Sequence, residues 1–70
     1  MAEMYIDRVF RGYGEAFFGE EAMARITSAQ VEEARCFAMR ELGRITEIYG
    51  RQKNGTAEEL FCNYLFEKYI

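Results

Sequence analysis

The sequence predicts an all-α fold, a compact three-helix bundle with an additional short helix between the first and second long helices. Three observations carry this. Proline is absent from all 70 residues, so no helix interior loses a donor or meets a ring clash. Apolar residues recur at intervals of three and four, the period of a helix face and not of a strand. Glycines and capping residues fall between those periodic stretches, where helices stop and start. The whole chain, 1–70, reads as one helical domain.

The first helix is expected over residues 2–18. At about 100° per residue, Ala2, Ile6, Val9, Phe10, Tyr13, Ala16 and Phe17 share one side, with Asp7, Arg8, Arg11 and Glu15 opposite. Asp7 and Arg11 have the spacing of a favourable i,i+4 pair. Gly12 and Gly14 each cost about 1 kcal/mol against alanine in a helix interior. The apolar stripe keeps its phase across both, which favours one uninterrupted helix. Gly19 is a stop signal. Residues 20–26 then read as a short helix, with Glu20 and Glu21 at its positive end, Arg25 at its negative end, and Met23 and Ile26 turned inward.

The long helix is expected over 27–49. Thr27 and Gln30 have capping-box spacing, and Ile26 and Val31 occupy the two positions of a hydrophobic staple. Its inner face reads Val31, Ala34, Ala38, Leu42, Ile45 and Tyr49, with Phe37 and Ile48 on one shoulder, and Gly50 closes it. A polar stretch with an Asn54-Gly55 turn signal follows. Thr56 and Glu59 give a second capping box, so the last helix is expected over 56–69, with Ala57, Leu60, Phe61, Tyr64 and Leu65 as its main stripe.

Composition narrows function. A 70-residue chain buries only about 60% of its unfolded surface, so dense packing or association is expected to supply stability. Half the residues are hydrophobic and 16% aromatic, which suits both. Nine basic against 12 acidic residues, a net charge of −3, argue against general nucleic-acid binding. The N-terminal residues lack the pattern of a signal peptide, and no stretch is long and apolar enough to span a membrane. Cys36 and Cys62 stand alone, without metal or redox spacing, and read as free thiols of a cytoplasmic protein; a 36–62 bridge is the alternative.

No stretch carries catalytic chemistry. Histidine, the usual base near neutral pH, is absent. The doublets Glu20-Glu21, Glu32-Glu33 and Glu58-Glu59 lie in first helical turns, where carboxylates complement the dipole; adjacent residues also diverge by about 100° and do not converge on one substrate atom. Gly12-Tyr13-Gly14 lacks the rest of a phosphate-binding pattern. Arg51 and Lys53 are candidates for a phosphate contact, but the helix after them opens with two glutamates. No catalytic residue, cofactor or metal is expected.

Two surfaces remain. Cys62, Phe66, Tyr69 and Ile70 lie opposite the main stripe of the last helix, as a candidate partner or oligomer interface. Ala29, Glu33, Cys36, Arg40, Gly43 and Glu47 form the outer face of the long helix, where Ala29, Cys36, Gly43 and Gly50 recur every seventh residue; the favoured reading is the solvated back of the helix, with packing of the first helix or of a partner as the alternative. The expectation is a non-enzymatic protein-interaction module, an inhibitor or adaptor such as a phage-type anti-defence protein, binding a protein partner and self-associating. The alternatives are a small DNA-contacting regulator and a small-molecule sensor with its ligand at a dimer seam.

Overall fold

The computed structural model describes residues 5–50 and 55–70; the expectations placed on Ala2, Arg51 and Lys53 lie outside these. The described chain is an all-α bundle of three long helices and one short one: α1 (Tyr5–Phe18), α2 (Glu20–Ala24), α3 (Ser28–Tyr49) and α4 (Thr56–Lys68). α1 touches each of the others, and the most extensive contact is between α3 and α4.

α1 is one helix through both glycines, as its unbroken stripe predicts, but the two glycines differ. Gly14 is buried, and a Cβ there would lie 2.5 Å from Met23 Sδ and 2.6 Å from its Cε. The Met23 side chain, wholly buried, takes the space that glycine leaves. Gly12 has nothing within 4 Å of such a Cβ. Gly12→Ala is therefore expected to raise stability by about 0.5–1 kcal/mol through helix propensity. At Gly14 the same gain meets an overpacking cost of about 1–3 kcal/mol, so Gly14→Ala is expected to lower it. Thermal melts shifting in opposite directions are the check; a shared sign would contradict the Met23 contact.

The inward side of α1 differs from the apolar stripe. Asp7, Phe10 and Gly14 are buried, at i, i+3 and i+7, while Ile6 is 37% and Phe17 69% exposed. The helix is turned by about 100°, one residue's worth. Polar partners explain the turn. Asp7 Oδ1 accepts a hydrogen bond from Arg35 Nε on α3 at 2.6 Å. Arg11 donates through Nη1 to Met23 O and through Nη2 to Ile26 O, both at 2.9 Å. Those carbonyls close α2 and its exit, where helical C=O groups run short of backbone donors; Met23 O also accepts from Ile26 N–H at 3.0 Å. A hydrophobicity pattern assigns Asp7 and Arg11 to water because it does not see such partners.

α3 starts as its sequence predicts. Thr27 is the N-cap, Thr27 Oγ1 accepts from Gln30 N–H, and Gln30 Oε1 accepts from Thr27 N–H. Ile26 and Val31 are both buried in the core. Thr27→Ala is expected to cost about 1 kcal/mol, read as a lowered urea midpoint at unchanged slope. Gly50 ends the helix in the left-handed conformation, donating its N–H to Thr46 O.

α4 starts differently from the expectation. The N-cap is Gly55, at φ 84°, with no side-chain cap, and Thr56 is the first helical residue. The Thr56–Glu59 capping box does not form, because the chain enters the helix from a left-handed glycine; Gly55 O instead accepts from Glu59 N–H at 3.0 Å.

The core comprises Phe10, Met23, Ile26, Val31, Ala34, Ala38, Phe61, Cys62 and Leu65, with Tyr13, Phe18, Ala57, Leu60 and Tyr64 packed against it. Small Ala34 and Ala38 on α3 leave room for large neighbours; Phe10 and Phe61 meet edge-to-face at 5.1 Å. Glu33 reaches Tyr69 and Phe37 reaches Tyr64, so α3 and α4 run antiparallel. Continued, that register sets Thr56 opposite residues 45–46. The last turn of α3 then overhangs α4, which corrects its predicted inner face. Leu42 and Ile45 are half-buried, and Tyr49 and Ile48 are 73% and 68% exposed.

Candidate interaction surface

The face beside the α1–α4 seam gathers aromatic side chains from two helices. Phe66 stacks on Phe18 with centroids 6.5 Å apart and planes 6° from parallel. Phe17 meets Phe18 edge-on at 5.0 Å. Phe66 is 64%, Ile70 46% and Tyr69 40% exposed. Of the four residues expected on this face, Cys62 does not belong to it. It is 3% exposed, inside the core, with its thiol 4.0 Å from the Tyr13 carbonyl. Burial, with Glu58 adding to it, pushes that thiol's pKa up, which opposes thiolate chemistry. Phe17 joins the face instead. The turn of α1 that brings Asp7 inward carries Phe17 outward, and only the partners of Asp7 and Arg11 could have revealed this in the sequence.

Along the same seam runs a groove of about 480 Å³. Tyr13, Ala16 and Phe17 of α1 form one wall, and Glu58, Glu59 and Cys62 of α4, with its N-cap Gly55, form the other. A smaller hollow of about 200 Å³ lies between Ala22, Arg25, Gln30, Tyr69 and Ile70.

On the outer face of α3, Ala29, Glu33, Cys36, Arg40, Gly43 and Glu47 are all exposed. A Cβ placed on Gly43 would have nothing within 4 Å, so the first helix does not pack there; it meets α3 through Arg35 instead. Cys36 and Cys62 are both free, one exposed and one buried.

The two surfaces join at Glu33. Its carboxylate accepts hydrogen bonds from Tyr64 Oη and, at 2.8 Å to each oxygen, from Tyr69 Oη. Those donors, Tyr64 first, hold the Glu33 pKa below its ordinary value of 4.5. The same bond, with burial second, pushes Tyr64 up to about 12, and Tyr69 moves upward for the same reason. The sign follows from linkage. A lowered carboxylate adds stability above its unfolded pKa, and this is lost as pH falls through the folded value. A raised phenol adds stability below about 10, and this is lost as pH rises through the folded value. The melting-temperature difference between the natural chain and Glu33→Gln is expected to be level from about pH 6 to 9 and to shrink on both sides. A difference that grows toward acid would contradict the clamp.

Among the described residues, no group of three or more His, Cys, Asp or Glu side chains could hold a metal ion. No described helix is long and apolar enough to cross a membrane. Compared with models of known families, with curated proteins and with solved structures, the chain matches none.

Proposed function

We propose that this chain is a non-catalytic protein-interaction module, an inhibitor or adaptor that acts by occupying a surface of another protein. One observation carries the reading: Phe17 and Phe66, from two helices, stand exposed on either side of Phe18, which packs against the core and meets both rings. An aromatic side chain offers about 150–250 Å² of buriable area. Phe17 and Phe66 are each about two-thirds exposed, and contiguous exposed apolar side chains are where interaction sites are sought. Rigid rings lose little side-chain entropy on docking, and aromatic residues are enriched among the anchors that dominate binding energy.

The test is comparative capture from extracts of the source cell or its host, with the natural chain and with Phe17→Glu/Phe66→Glu as baits. Both substituted positions are solvent-facing, so the variant is expected to keep its helical circular dichroism. One or a few proteins retained by the natural chain and lost with the variant are the expected result. Identical retained sets would overturn the reading. Sedimentation of both chains reads self-association through the same rings in parallel.

A further inference from the structure

We draw no further inference here: the strongest candidate, the groove of about 480 Å³ between α1 and α4, is lined by Tyr13, Ala16 and Phe17 on one side and by the carboxylates of Glu58 and Glu59 on the other, and nothing in the structure shows what covers it.

Discussion

Phe61→Ala is expected to lower the unfolding free energy by about 3–5 kcal/mol, the largest loss expected from truncating any one side chain of the core. Phe61 is wholly buried and the largest such side chain. It joins helices as well as filling space, since its ring stands edge-on to Phe10 of α1 within the cluster that holds Val31, Ala34 and Ala38 of α3. Removing it forfeits the transfer energy of the ring and leaves a cavity where three helices meet. A domain of this size has roughly 4–10 kcal/mol in total, so the variant is expected to be largely unfolded near 37 °C. Urea titration by circular dichroism is the measurement. Phe66→Ala is the control: same residue type, same helix, 64% exposed, expected loss below about 1 kcal/mol. Equal losses at the two positions would mean that the core is centred elsewhere.

Asp7→Ala is expected to cost about 2–3 kcal/mol. Breaking a fully buried ion pair costs about 3–5 kcal/mol, because a charge is left without a partner. The Asp7 and Arg35 side chains keep 8% and 17% of their exposure, so water reaches the orphaned guanidinium and moderates the loss. The informative experiment is the cycle. Arg35→Met alone strands the carboxylate and is expected to be comparably harmful. Asp7→Leu/Arg35→Met is expected to recover most of the stability, since replacing both partners by apolar groups is often neutral or better. Strict additivity of the single losses would show that the pair does not hold α1 against α3.

These two positions also divide what the sequence reveals from what it conceals. Phe61 lies on the predicted stripe of α4, and the Thr27–Gln30 box and Gly50 stop of α3 are legible because caps are local chemistry, complete within four residues. Asp7 is assigned to the wrong side because its partner is 28 residues away, and periodicity counts hydrophobicity without knowing which polar groups will be satisfied. The same oversight puts Phe17 in the core and hides its place on the aromatic face. Cys62 is drawn outward because both sides of α4 are apolar, and its hydrophobic pattern alone does not say which side α1 will cover. The cap of α4 falls one residue earlier than its sequence suggests, because a left-handed Gly55 can open a helix without a side-chain cap.

The Glu33 carboxylate, shared with Tyr64 and Tyr69, has a thermodynamic consequence. Tyr69 stands beside the aromatic face, and Glu33 stands on the outer face of α3. A guest that draws Tyr69 away leaves the Glu33 carboxylate with the Tyr64 hydroxyl alone, more open to water and more basic. A guest that neutralises Glu33 from the outer face of α3 loosens the anchor of the α4 terminus. Whatever free energy the first event lends to the second, the second must return equally to the first. Occupancy of either surface is thereby reported at the other by one side chain, without any helix moving.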